Sequence, residues 1–201
     1  MEAKTAEKST MKMFARMIVF TALLAGLSVL FFVLSDQLFS EWCYAAAVTM
    51  LTLFYHFAMR LIVGETITYL YRDKDFPQDR LGFRLYAFER ELYRKLKVTE
   101  WKTHVITAKP EQFDLKLVTP KDLLHNVMQA ELVHRTIMLL SFVPLLLVIP
   151  FGAPWVFITT SVAACLLDGM FVIIQRYNRP TVQRYLELMR RREERKRASL
   201  P

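Results

Sequence analysis

Within the short stretch "AELVH", Glu131 and His134 are the residues of this chain best suited to acid–base chemistry. A spacing of three places both side chains on one face of a helix. An imidazole titrates near neutrality and can take a proton from a hydroxyl nucleophile, while a neighbouring carboxylate can orient the ring and stabilise its charged form. The same spacing equally describes an ordinary salt-bridge pair at a helix end. A metal centre would have to recruit His125, nine positions before His134. That separation is about 13 Å along a helix axis, too far for one ion, so no metal is expected. No G-x-S-x-G, P-loop, G-x-G-x-x-G or Cys-x-x-Cys pattern occurs, which disfavours a serine hydrolase or a nucleotide-binding fold.

Further polar residues interrupt apolar runs, where each costs several kcal/mol unless paired. His56 and Arg60 lie one helical turn apart and share a face. They could contact a substrate, or Arg60 could extend to the membrane surface while His56 bonds a neighbouring helix. Asp168 should face the interior of a bundle, be protonated, or pair with a base, for which Arg60 and His56 are the candidates. Near the C-terminus, "QRYNRP" carries Gln175, Arg176, Asn178, Arg179 and Pro180. Proline disfavours helical geometry at the residue before it and suits the first turn of a new helix, so a bend is expected here. Asn178 could then bond the backbone freed at that bend.

The elements that must position these groups are membrane spans. The chain has 201 residues, 54% of them hydrophobic, with a net charge of +8 and a mean hydropathy of +0.23. Four stretches have the length and apolarity to cross a bilayer: Met13–Leu34, Trp42–Gly64, Leu132–Pro150 and Trp155–Ile174. The first is too long for a signal peptide's apolar core and lacks a cleavage pattern, so an uncleaved helix is expected. Phe83, Leu85, Tyr86, Phe88, Leu92, Tyr93 and Leu96 recur at helical spacing among arginines, the pattern of a helix lying in the interface. Residues 181–197 predict a second, basic interfacial helix. Lysines and arginines precede span one, fill 65–131 and close the chain, whereas the first connecting loop has none. The positive-inside rule then puts both termini and the 65–131 segment in the cytoplasm. The prediction is an all-α polytopic membrane protein, one domain over 1–201, with four transmembrane helices and cytoplasmic-side amphipathic helices. Its basic residues flank apolar runs, which suits anionic lipid and argues against nucleic acid. Cys43 and Cys165 sit within apolar runs, and no disulfide is expected.

Three blocks, "VTEWK" (Val98–Lys102), "AELVH" (Ala130–His134) and "IIQRYNRP" (Ile173–Pro180), occur in the order and at the separations of one family. From about Tyr86 onward the chain resembles the glycosyl-diaponeurosporenoate acyltransferases, small bacterial membrane proteins of carotenoid pigment synthesis. The resemblance implies transfer of a fatty acyl group from a cytoplasmic thioester donor, acyl-CoA or acyl carrier protein, to a sugar hydroxyl. The acceptor it implies is a glycosylated lipid or a carotenoid-like molecule in the cytoplasmic membrane, with no cofactor. The matching positions are Trp101, Lys102, Glu131, His134, Gln175, Arg176, Asn178, Arg179 and Pro180. On that basis His134 is the expected general base and Glu131 its orienting carboxylate. Arg176 and Arg179 are the expected anion or oxyanion binders, with Gln175, Asn178, Trp101, Lys102, His56 and Arg60 around the substrate. Two positions depart from the pattern: Thr181 replaces an arginine after N-R-P, and "THVIT" follows Trp101–Lys102. A non-catalytic lipid-binding or assembly protein is the alternative reading, and a homo-oligomer stays open in either.

Overall fold

Apolar helices that expose leucine, valine and phenylalanine around most of their circumference are stable only in lipid. Such helices dominate the computed structural model, which describes residues 2–72, 74, 76, 83–105, 110–114 and 117–198. Seven α-helices occur among these residues, with no strand: α1 (Glu2–Leu38), α2 (Glu41–Tyr71), α3 (Ala87–Lys95), α4 (Val98–Trp101), α5 (Pro120–Leu140), α6 (Val148–Phe151) and α7 (Pro154–Ala198). Four helical stretches are long and apolar enough to cross a membrane: Met11–Leu38, Glu41–Tyr71, Pro120–Phe151 and Pro154–Ala198. Each contains one of the expected spans. Helix α1 packs on α2, and α5 packs on α7.

Local signals explain the helix starts. Ser40 caps α2, its hydroxyl accepting the Cys43 amide at 3.4 Å. Thr119 caps α5 by accepting the Asp122 amide at 3.2 Å, with Pro120 at the first helical position. Small polar residues mediate helix contacts: buried Ser28 of α1 donates to the Ala47 carbonyl of α2 at 3.1 Å. The third span is interrupted after Leu140 by a tighter helical turn over Val143–Leu147 that contains Pro144. The tight connection into α7 turns at Gly152, whose φ of +63° a glycine adopts without steric cost. One apolar cluster of Met59, Val63, Ile67 and Ile137 joins α2 to α5. A second, of Phe76, Leu124 and Met128, is covered by Val182 and Leu186 of α7.

The chain does not bend into a new helix at Pro180. Helix α7 continues through it as one 45-residue element. Proline at this position removes only the amide that would bond the Arg176 carbonyl, and its φ is compatible with helix. Buried side chains on the preceding turn, described below, hold the helix on course. The separate helix expected over 181–197 is therefore the distal part of α7. Helix α3 is amphipathic, but the two residues it buries are polar-tipped, while Arg90, Glu91, Arg94 and Lys95 are exposed. Glu89 and Tyr93 are covered, while Phe88 (64%), Leu92 (42%) and Leu96 (43%) are exposed, as an interfacial helix requires. The sequence just before it, 77–82, lies outside the described residues.

Candidate active site

The three sequence blocks converge on two linked clusters where α3, α5 and α7 meet. At the centre of the first is Glu131, 0% exposed on α5. Its Oε1 accepts from Arg176 Nη1 at 2.6 Å and its Oε2 from Arg179 Nη1 at 2.8 Å, with Arg135 Nη1 3.5 Å from Oε1. Arg176 also grips both oxygens of Glu89 through one edge of its guanidinium, Nε at 2.9 Å and Nη2 at 2.5 Å, and Nη2 donates to the Arg84 carbonyl at 2.8 Å. Arg179 donates its remaining edge to the Phe83 carbonyl. Two carboxylates and two guanidiniums are thus mutually satisfied, the condition under which charges are tolerated in a buried site.

Glu89 was not among the residues that the sequence singles out. The available signal is the i, i+4 spacing of Glu89 and Tyr93, which puts both on one face of α3. Glu89 accepts from the Tyr93 hydroxyl at 2.6 Å and from the Tyr86 amide at 3.0 Å. Burial alone would raise the Glu89 carboxyl. The hydrogen bonds from Arg176, Tyr93 and the Tyr86 backbone overcome that and lower it from 4.5 to about 2. Burial, followed by the bond to Glu89, pushes the Tyr93 hydroxyl up to about 12. Because the folded carboxyl titrates below its ordinary value, its stabilisation is complete above about pH 4.5. It is lost as pH falls through the window down to about 2. An acid titration of the detergent-solubilised protein, followed by tryptophan fluorescence, should show a transition in that window that Glu89→Gln removes.

Lys102 and Asn178 bring the first block to the last. Lys102 Nζ donates to Asn178 Oδ1 at 3.0 Å and lies 4.6 Å from the centre of the Tyr177 ring. Asn178 therefore holds a neighbouring element, not a backbone break as expected. Trp101 closes the end of α3, its Nε1 donating to the Leu96 carbonyl at 2.9 Å. Gln175 is buried, with Oε1 free of any hydrogen-bond partner among the described residues.

His134 belongs to the second cluster. Its Nδ1 is 2.8 Å from Oδ1 of Asp168, and its ring stacks on Phe171 at 4.5 Å between centroids. Asp168 is 0% exposed, and its other oxygen is paired with Arg60 of α2. The contact engages Nδ1, so Nε2 is the ring nitrogen left for other partners. Glu131 and His134 are not bonded to each other. Three residues apart on α5, the two side chains meet different neighbours: Glu131 the arginines near the end of the apolar part of α7, and His134 Asp168, eight residues before Arg176 and about 12 Å away along that helix. The carboxylate in contact with the His134 ring is Asp168. Arg60 also donates to the His56 carbonyl at 2.9 Å, tying itself to its own helix. The ring of His56 is 3% exposed and neither nitrogen has a partner among the described residues, and the same holds for Ser161 Oγ. A buried imidazole with two unmet groups is costly unless a bound molecule meets them. Among the described residues no three His, Cys, Asp or Glu side chains gather as metal ligands, and both cysteines are free.

The family of glycosyl-4,4'-diaponeurosporenoate acyltransferases matches residues 79–188, more than half of the chain. Comparisons with curated proteins and with solved structures return no match. The matched stretch contains Glu89, Lys102, Glu131, His134, Asp168, Arg176, Asn178 and Arg179, so both clusters fall almost wholly inside it. This chain belongs to the glycosyl-4,4'-diaponeurosporenoate acyltransferase family.

Proposed function

We propose that the protein transfers a fatty acyl group from a thioester donor, acyl-CoA, to a sugar hydroxyl of a glycosylated carotenoid-type lipid. The observation that carries this reading is the His134–Asp168 contact of 2.8 Å, which leaves Nε2 of the imidazole available as a base. In the reaction, Nε2 takes the hydroxyl proton as the oxygen attacks the thioester carbonyl. The tetrahedral intermediate collapses with cleavage of the carbon–sulfur bond, and the imidazolium returns the proton to the departing thiolate. Asp168 holds the ring and stabilises the imidazolium. Arg60 supplies Asp168 with a second charge partner, and Phe171 fixes the ring plane. The unmet nitrogens of His56 suit a polar group of the substrate held between α2 and α7. The acyl chain lies along the lipid-facing helices, where each buried CH₂ contributes about 0.8 kcal/mol. The chemistry needs no resident cofactor.

Positive-inside charge supports a bacterial cytoplasmic-membrane location with both termini, α3 and the Arg176 network on the cytoplasmic side, where thioester donors occur. The test is direct. Purified protein in nanodiscs receives radiolabelled acyl-CoA and a glycosylated carotenoid acid, and the lipid extract is examined for a labelled ester with release of free thiol. Labelled ester is expected with the wild-type protein and not with His134→Gln. Folded protein that yields no ester, or His134→Gln that yields it at the wild-type rate, overturns the reading.

A further inference from the structure

Arg176 and Arg179, the expected anion binders, have their guanidinium donors engaged by Glu89, Glu131 and two backbone carbonyls. A phosphate-bearing donor must find its cations elsewhere. Beside the network a groove of about 650 Å³ opens between α3 and α7, with the Glu89–Arg176 pair on its wall. Arg90 of α3 and Arg184 of α7 line it, together with Tyr86, Tyr177 and Thr181. Both arginines are exposed, and neither has an ion-pair or hydrogen-bond partner among the described residues. Glu89 is matched by Arg176, so the unbalanced charge facing the groove is positive. On α3, Arg90 points away from the apolar stripe of Phe88 and Leu92, from which it is separated by two residues on either side.

We infer that this groove is the seat of the donor's nucleotide: Arg90 and Arg184 bind the phosphates of the coenzyme A headgroup, and the tyrosine rings pack against its base. The choice of ligand rests on the acyl-transfer reading above. Its volume is in the range of small-molecule sites and larger than a lone phosphate requires. Two guanidiniums from separate helices can grip a diphosphate from two sides. Arg184 lies sixteen residues beyond Asp168 on α7, about 24 Å along the axis, so the extended pantetheine arm would run along α7 from the groove toward His134.

Two measurements test the site. Protein in neutral detergent is titrated calorimetrically with adenosine 3′,5′-bisphosphate, the coenzyme A headgroup without its arm, and with phosphatidylglycerol in a second series. The bisphosphate should bind, and Arg90→Gln and Arg184→Gln should each weaken it about tenfold, with a larger loss in the double variant. Both positions are exposed, and an unchanged elution profile and Tm check that the variants are folded. Absence of bisphosphate binding, or equal affinity in the double variant, overturns the assignment. Phosphatidylglycerol that displaces the nucleotide and responds to the same substitutions makes the occupant a lipid headgroup and also overturns it. In turnover, the double variant should raise KM for acyl-CoA relative to KM for the acyl-pantetheine thioester. Nucleotide binding without any acyl transfer would sink the proposed function and keep the site; transfer with an unchanged KM ratio would do the reverse.

Discussion

Replacement of Asp168 by asparagine should lower acyl-transfer turnover by roughly 10³–10⁴-fold, the scale seen when an orienting carboxylate loses its charge. The residue is fully buried, with one oxygen on His134 and the other on Arg60. An asparagine keeps the shape but cannot accept at both ends with the same strength. Its amide can donate to Nδ1, which moves the ring proton to Nε2 and removes the base. The imidazolium formed in the reaction loses its counter-charge, and Arg60 is left uncompensated within a span. Because Asp168 and His134 act as a unit, Asp168→Asn combined with His134→Gln should be little worse than the weaker single variant. Steady-state rates in nanodiscs read this out. Turnover within about threefold of wild type for Asp168→Asn would remove Asp168 from the mechanism.

The largest effect on stability should come from Glu131→Gln. One buried carboxylate holds Arg176 and Arg179 at once, and removing one partner of a buried ion network costs about 3–5 kcal/mol. For a chain of this size that is a fall in Tm of roughly 10 °C, measurable by thermal unfolding in detergent. A second substitution, Arg179→Met, should recover part of the loss, because it removes a guanidinium that Glu131→Gln leaves unpaired in a buried site. The comparison also separates two roles for Glu131. A carboxylate that oriented His134 would cost activity at unchanged Tm; a keystone between α5 and α7 costs Tm first. An unchanged Tm for Glu131→Gln would exclude the keystone role.

Much of the architecture was legible in the residues. Four apolar runs become four membrane-length helices because backbone groups in lipid must bond within their own segment, a rule that needs no knowledge of neighbours. The Thr119–Pro120 start of α5 is equally local. So was the suspicion that Asp168 needs a cation within a span. The sequence narrowed that cation to Arg60 or His56; that it is Arg60, 108 residues away, only the packing of α2 on α7 decided. Glu89 was missed because α3 reads as an interfacial helix whose charges face water, whereas its acidic side is covered by Arg176.

Composition, apolar length and three short blocks determined that this is a four-span membrane protein of a given family. Tertiary structure alone decided the partners. Residues three apart on α5 share a face, yet each carboxylate or imidazole settles on whichever group of α7 or α3 lies within hydrogen-bond reach in a medium with no water to compete. Glu131 therefore went to the arginines and His134 to Asp168. Pro180 shows the same order of effects. A local preference to break the helix is outweighed when Arg176 and Arg179, on the turn before it, are anchored by Glu89, Glu131 and two backbone carbonyls.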